Sequence, residues 1–361
     1  MSAYSTKLAE AFSAKVLKEL YARSVFDDLV NRDYEGDISQ AGSVCNILSF
    51  AKLQEKDYNG SNLAPDDLNE SNAQLTITKQ KSFYFKVRTI DKFKSYIKNP
   101  ESIVKEQTFL ERKKNVDAFV LGYYAKAAAG QWIGTNYTTG TVTVDASGNV
   151  TGSGTTFTSS MVGKPFQATG QTAWYRIATF VSTTSITIQD DLDDVASQYT
   201  GGAIAGGTAY TIQANTPVAI TGSNIKSKLI AIKTMFDNAE VPEDQRMVFL
   251  PPTISQWILQ ATDIVLNVPA AYENLVVKGF ITELLGMKIF ETPRVQGDNT
   301  NGYHIIGAQK NWLTFADKIL EADVEEQLIG NFGAAYKDLY VYGAKVADNR
   351  RKFGVHMLAT G

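Results

Sequence analysis

From Thr135 to Asn215 the only basic residues are Lys164 and Arg176, while Thr, Ser and Gly dominate. Sequence of a different kind, with helical stripes and ordinary charge, stands on both sides of this block. The chain therefore carries a β-rich unit set into something else. Short alternating runs recur inside it at Thr141–Val144, Ala173–Val181, Ser185–Gln189 and Thr208–Gln213, with turn residues between them. Strands at short, regular spacing predict a small β-sandwich or barrel. Its ends, near Gly134 and Thr216-Pro217, must lie close together if the flanking domain is to stay whole.

Immediately upstream, Asn99–Gly130 reads as one long helix. Asn99 can accept from orphan amides, Pro100 suits the first helical position, and Glu101 favours the positive end of the dipole. Phe109, Val116, Val120, Tyr123 and Ala127 follow at spacings of seven, four, three and four, which marks one apolar face. Glu106, Glu111, Arg112, Lys113, Lys114 and Asp117 are expected on the other side. Gly130 is the expected stop. Such a helix spans on the order of 40 Å.

The N-terminal part contains two further patterns. Leu8, Phe12, Val16 and Leu20 recur every four residues among charges, a narrow amphipathic stripe suited to docking on a surface. Ser43–Leu53 and Gln74–Arg88 read as two long strands around a polar tip, Asp57–Asn72. In the second strand Leu75, Ile77, Phe83, Phe85 and Val87 share a face that Lys79 and Lys81 interrupt. A two-stranded ribbon of this kind is marginal in water unless it lies on something.

Downstream, Ile225, Leu229, Ile232 and Phe236 predict a second amphipathic helix, stopped by Val241-Pro242. Met247–Leu250 reads as a strand, and Pro251-Pro252 opens a helix holding Trp257 and Ile258. Leu284–Glu291, Tyr303–Gly307 and Trp312–Phe315 read as strands, and Ala322–Leu328 fits strand or helix. Leu339–Ala347 is expected to pair with Lys352–Leu358 as a hairpin through Asp348–Arg351.

Composition excludes several classes. At 361 residues, with 44% hydrophobic residues and a net charge of -3, the chain shows neither a nucleic-acid-type basic excess nor an acidic tail. No apolar run approaches the length of a membrane span, and Met1–Tyr4 lacks a signal-peptide layout. Cys45 is the only cysteine, so no intrachain disulfide is possible, in keeping with a reducing compartment.

Catalytic chemistry finds little purchase. His304 and His356 are the only histidines, each in a predicted strand, where a structural role is expected. No Cys/His zinc set can be assembled. Gly163-Lys164 fails as a phosphate loop, because Thr158 stands where the first glycine belongs and Pro165 follows. Asp190, Asp191, Asp193 and Asp194 are weak candidates for calcium, and a solvated acidic turn explains them better. Arg112, Lys113 and Lys114 suit phosphate contact or helix-surface ion pairs equally. Arg350, Arg351 and Lys352 form a basic cluster on the expected hairpin tip, open to an acidic neighbour.

The order of the pieces (an amphipathic arm, a long ribbon, a long helix, a mixed α/β segment closing on a strand pair) resembles the major capsid proteins of tailed bacteriophages, the Hong Kong 97-type fold. Lys278–Pro293, with its loop leading into Gly286-Met287-Lys288-Ile289, is similar to a late segment of that family. Arg246–Pro252 followed by Gln256-Trp257 is similar to its strand-then-helix. The resemblance covers all but Thr135–Asn215, which has counterparts in some capsid proteins. Within that block Gly154–Thr158, Met161–Lys164 and Trp174–Ile177 look like small β modules of phage structural proteins.

The resemblance implies an α+β fold with an N-arm at 1–35, an extended loop at 36–90, and a peripheral domain at 91–134 and 333–361 built on a spine helix at 99–130. It also implies an inserted β-domain at 135–215 and an axial domain at 216–332. It further implies a non-enzymatic shell subunit without cofactor, whose partners are its own copies in pentamers and hexamers. Leu8, Phe12, Val16, Leu20, Lys79, Lys81, Phe83, Phe85, Arg350, Arg351 and Lys352 are the expected contacts between subunits. Packaged double-stranded DNA touched non-specifically, scaffolding, portal and decoration proteins are further implied partners, with no membrane involved. The expected location is the virion, after assembly in the bacterial cytoplasm. An encapsulin-like compartment, a β-rich tail component and a carboxylate-pair hydrolase are the competing readings.

Overall fold

The computed structural model describes residues 24–33, 44–50, 70–88, 100–190, 198–261, 280–325 and 333–361. The expected N-terminal helix through Leu8, Phe12, Val16 and Leu20, and most of the Asp57–Asn72 tip, lie outside them. The chain folds as two compact units, one comprising Met1–Tyr21, Thr78–Asn115 and Asp317–Tyr342, the other Ala22–Ile77, Val116–Ala316 and Gly343–Gly361.

Helix α1 (Phe26–Leu29) leads directly into β1 (Val30–Asn31). Strands β2 (Val44–Phe50) and β3 (Glu70–Thr76) pair antiparallel from Val44↔Thr76 to Phe50↔Glu70, the expected ribbon in shortened form. The stretch read as one strand, Gln74–Arg88, breaks after Thr76, and β4 (Lys79–Arg88) takes a different partner. The break falls where the Gly343 backbone closes on Thr76, so tightly that an added Cβ would meet the Thr76 carbonyl oxygen at 2.4 Å.

Helix α2 (Pro100–Leu121) has 22 residues, about 33 Å at 1.5 Å per residue. It ends short of the expected Gly130 and passes into a 3₁₀ turn, Gly122–Lys126. Gly122 is a poor helix former, and beyond it the Ala127 carbonyl accepts from Arg176 Nη2 at 2.7 Å and Trp132 Nε1 at 3.3 Å. These distant donors reward leaving the helix. The expected faces also need correcting, since Phe109 is 55% exposed and Asp117 is fully buried. The boundary between the two units falls within α2 at Asn115/Val116, so the first half does not continue the stripe of Val116, Val120 and Leu121.

After β5 (Trp132–Ile133), eight strands make one antiparallel sheet. They are β6 (Thr135–Tyr137), β7 (Thr141–Val144), β8 (Asn149–Ser153), β9 (Pro165–Ala168), β10 (Tyr175–Ser182), β11 (Ser185–Asp190), β12 (Ile204–Thr208) and β13 (Tyr210–Thr216). Their order is β12-β7-β8-β11-β10-β9-β13-β6. Alternation puts Val142, Val144, Val150, Ile177, Ile186, Ile188 and Ile212 into a core with Phe157, Phe166 and Tyr210. Each such buried side chain contributes about 1.5–3 kcal/mol of burial. The first and last strands are neighbours, with Thr135 opposite Thr216. At the neck Gly134 has no room for a side chain, since a Cβ would lie 2.6 Å from Ala214 Cα.

The remainder comprises β14 (Val218–Ala219), α3 (Ile225–Asn238), β15 (Arg246–Leu250), α4 (Pro252–Gln260), β16 (Phe280–Leu284), β17 (Met287–Glu291), β18 (Gly297–Asp298), β19 (Gly302–Gln309), β20 (Leu313–Glu325), β21 (Gly333–Lys345) and β22 (Gly354–Thr360). A mixed sheet runs β14-β22-β19-β15-β17-β16, with β5 on β22 and β18 on β19. The α3 stripe Ile225, Leu229, Ile232 and Phe236 shares a core with Val248, Ile289, Ile305, Val355 and Met357. Leu284–Glu291 is a hairpin, not one strand; Leu285 and Gly286 both take positive φ (57° and 73°), as a two-residue turn requires.

Two expectations fail near the C-terminus. Strand β21 pairs with β4 from Gly333↔Arg88 to Tyr342↔Lys79, and β22 lies between β14 and β19. No hairpin joins β21 and β22, because Asp348–Phe353 forms a 3₁₀ turn that carries the chain into the other sheet. Ala322–Leu328 is strand as far as Glu325. Among the described residues no helix is long and apolar enough to cross a membrane.

Candidate assembly surfaces and a buried joint

In the smaller unit, β4 ends its sheet, so one row of its backbone groups meets no strand among the described residues. Lys79 and Lys81 are exposed on it, and Phe83 and Phe85 are half-buried within their own chain. Phe85 stacks on Tyr336 at 5.0 Å, and the Arg112 guanidinium lies 5.5 Å from the Phe83 ring and 4.9 Å from Tyr340. Arg112 also pairs with Asp338, whose carboxylate accepts from the Phe83 amide at 3.3 Å. Around this brace, Tyr84 is 64% exposed, Phe109 55% and Ile319 54%. Large apolar side chains on a strand and a helix are thus left exposed within this chain.

The basic candidates separate. Lys113 lies over Phe109 at 4.8 Å, and Lys114 reaches Glu111 at 3.4 Å. Arg350 covers Phe353 at 5.1 Å and Lys352 is exposed. Arg351 is not on a hairpin tip as expected; it is buried, its Nε donates to the Lys126 carbonyl at 3.4 Å, and its own carbonyl accepts from Ala128 at 3.1 Å. Turning inward, it ties the two 3₁₀ turns together. The Asp190 carboxylate is engaged by the amide and hydroxyl of Thr200 at 3.0 and 2.8 Å, while Asp191, Asp193 and Asp194 lie outside the described residues. Among the described residues no cluster of three His, Cys, Asp or Glu side chains has metal-binding geometry.

Two polar hubs escaped the sequence. The Asp117 carboxylate accepts from Ser24 Oγ at 2.9 Å and from the amides of Val25 and Phe26 at 3.1 and 3.0 Å, and it pairs with Arg294. It thus satisfies two amides at the start of α1 and a guanidinium at once. The only local trace is a lone acid beside Val116 on the line to Val120.

The second hub joins the eight-stranded sheet to the mixed sheet. His304 on β19 and His356 on β22 face each other, Nδ1 to Nε2 at 3.0 Å. Tyr124 stacks on His304 at 3.9 Å, and Trp132 meets His356 edge-on at 4.2 Å. From the other side Arg176 on β10 packs over Trp132 at 4.9 Å and donates to the carbonyls of Gly163 and Ala127 at 3.0 and 2.7 Å. Lys164 donates to the Asn215 carbonyl at 2.8 Å, and the Gly130 amide donates to Gln213 Oε1 at 2.9 Å.

Burial, then the charge of Lys164, push His304 down to about 4. Burial, then His304, Arg176 and Lys164, hold His356 well below the ordinary histidine range. Burial also draws Lys164 down to about 8. Both rings are therefore neutral at pH 7. His356 Nδ1 meets no hydrogen-bond donor or acceptor among the described residues. An idle lone pair there costs less than a buried idle N–H, so Nε2–H of His356 donates to Nδ1 of His304.

No protein-family model matches this sequence, and no curated protein does. Solved structures match along nearly the whole chain. A structure of Mycobacterium phage Che8 is 19% identical, covers 98% of each chain and superposes with a TM-score of 0.58. The capsid structure of cyanophage P-SCSP1u is 12% identical over 98% of this chain and 94% of that one, with a TM-score of 0.59. The capsid asymmetric unit of cyanophage Pam1 is 12% identical over 100% and 99%, with a TM-score of 0.54. The fold is the α+β fold of phage capsid subunits, as the order of the pieces implied.

Proposed function

We propose that this chain is the major capsid protein of a tailed bacteriophage, assembling as pentamers and hexamers into an icosahedral shell around double-stranded DNA. The observation that carries this is the end-to-end match to capsid subunits, 98% of this chain on 94% of the P-SCSP1u chain. A fragmentary match would leave room for a borrowed domain. The edge of β4, which meets no strand among the described residues, with exposed Tyr84, Phe109 and Ile319, supports the reading, since such surfaces gain stability when a sister copy covers them.

The mechanism is cumulative burial. An arm, a ribbon and an axial domain each meeting different neighbours bury together the several thousand Å² typical of permanent interfaces. Closure of the shell then multiplies modest contacts. In this reading residues 1–35 are the arm, 36–90 the extended loop, 91–134 with 333–361 the peripheral domain, and 216–332 the axial domain. The 135–215 domain braces or decorates the outside. Shells form in the bacterial cytoplasm, and exposed lysines such as Lys352 meet DNA or acidic neighbours by charge alone.

The test is electron microscopy of the expressed protein and of particles it forms. Icosahedral shells that hold nucleic acid in their native source are the expected result. Shells filled with protein cargo and no DNA transfer the reading to an encapsulin-like compartment. A monodisperse monomer at high concentration defeats both.

A further inference from the structure

The buried joint has a charge arrangement that neither shell building nor core packing requires. Both histidines belong to the mixed sheet, on β19 and β22. Both fixed cations, Lys164 and Arg176, come from the eight-stranded sheet's side. We propose that the His304–His356 pair is an acid-operated latch, closed while both rings are neutral and released when either ring takes up a proton.

The geometry supplies the force. Trp132 touches both Arg176, at 4.9 Å, and His356, at 4.2 Å, so a charged His356 shares one indole with a guanidinium. Lys164 acts on both rings, and Arg176 on His356. The groups facing the pair are Tyr124 from the 3₁₀ turn after α2, Lys164 from the turn before β9 and Arg176 from β10. On β5 the packed group is Trp132, on β13 Gln213 and Asn215, and the buried Arg351 sits one turn away on the Lys126 carbonyl; among the described residues no carboxylate acts on either ring.

A proton from solvent therefore places like charges on opposite sides of the joint at low dielectric, where repulsion is strong. On His304 Nδ1 it also ends the bond between the rings, since two N–H groups cannot donate to each other, whereas on His356 Nδ1 it leaves that bond in place and acts by repulsion alone. What opens is the contact between the sheets. The core around Val150, Ile177 and Ile186 contains neither ring and stays closed.

Hydrogen–deuterium exchange on the full chain, corrected for intrinsic rate and followed from pH 7.5 to 4, reads the latch directly. Protection around residues 127–134 and 210–220 is expected to fall at least tenfold below about pH 5, while strands β8 and β11 keep theirs. The double variant H304Q/H356F is expected to lose the step. Lys164→Met is expected to raise both ring midpoints and make the step shallower, because one repelling charge is gone. Where the double variant folds poorly, the wild type suffices: with only two histidines, its two ring signals can be titrated by NMR, and both midpoints are expected below the ordinary histidine range. A joint protected down to pH 4, an unchanged step in the double variant, simultaneous opening of β8 and β11, or either ring titrating at 6.5 or above overturns the latch.

Discussion

Asp117 and Arg294, 177 residues apart, form a buried ion pair whose carboxylate also accepts from Ser24 and from two amides at the start of α1. Helix α2, the loop after β17 and the entry of the chain into α1 are thereby fixed by one side chain. Removing one partner of such a pair leaves the other charge buried and alone. Asp117→Ala is therefore expected to destabilise the protein by about 3–5 kcal/mol, and Arg294→Met by less, since the three neutral donors keep their acceptor. Urea unfolding of both single variants and the double variant checks this; a coupling energy near zero refutes it.

Tyr84 and Phe109 contrast with this pair. They are 64% and 55% exposed and make no buried contact of consequence to the isolated subunit. Tyr84→Ser with Phe109→Ser is expected to leave unfolding free energy within about 0.5 kcal/mol of wild type. Assembly is expected to suffer instead, with sedimentation showing subunits or open fragments in place of closed shells. Normal shells from the double variant mean that these side chains are not covered by neighbours.

Arg112 braces the small unit by its shape as much as its charge. It pairs with Asp338 while lying 5.5 Å from Phe83 and 4.9 Å from Tyr340. Lysine keeps the charge and loses the planar stack. Arg112→Lys is expected to cost about 1 kcal/mol and Arg112→Ala about 2–3 kcal/mol, read by thermal unfolding. Equal values for the two would assign the whole effect to the planar guanidinium, since lysine keeps both the stem and the charge.

Stability is expected to fall as the medium is acidified from pH 6.5 towards 4. His304, lowered to about 4, and His356, lowered further, bind protons more weakly folded than unfolded. The unfolded chain takes up protons first, near 6.5, so the folded state loses ground throughout that window, and the two rings contribute no pH dependence above it. With two such rings a slope of about 2 kcal/mol per pH unit is expected in the middle of that window. It should vanish in H304Q/H356F when chemical unfolding is measured at several pH values.

The elements legible in the sequence are those held by local pattern. Thr141–Val144, read from alternation, coincides with β7, and the α3 stripe Ile225, Leu229, Ile232 and Phe236 is buried throughout. Elements fixed by distant partners were not legible. Nothing near Thr76 signals that the strand ends where Gly343 packs, and nothing near Gly122 signals that Arg176 draws the Ala127 carbonyl out of helical geometry. The surfaces offered for assembly were half visible. Lys79 and Lys81 are exposed as expected, but Arg351 turned inward because a 3₁₀ turn, not a hairpin, follows β21. The histidine pair was read only as two residues in strands, since 52 positions separate partners that β19–β22 pairing brings face to face.

Thr135 and Thr216 stand opposite each other on adjacent strands, about 5 Å apart at Cα. A module whose termini meet at that spacing can be swapped at this port without asking the host fold to stretch. Engineers could therefore splice a foreign enzyme or antigen in its place, and natural lineages could trade one such module for another while keeping the same shell.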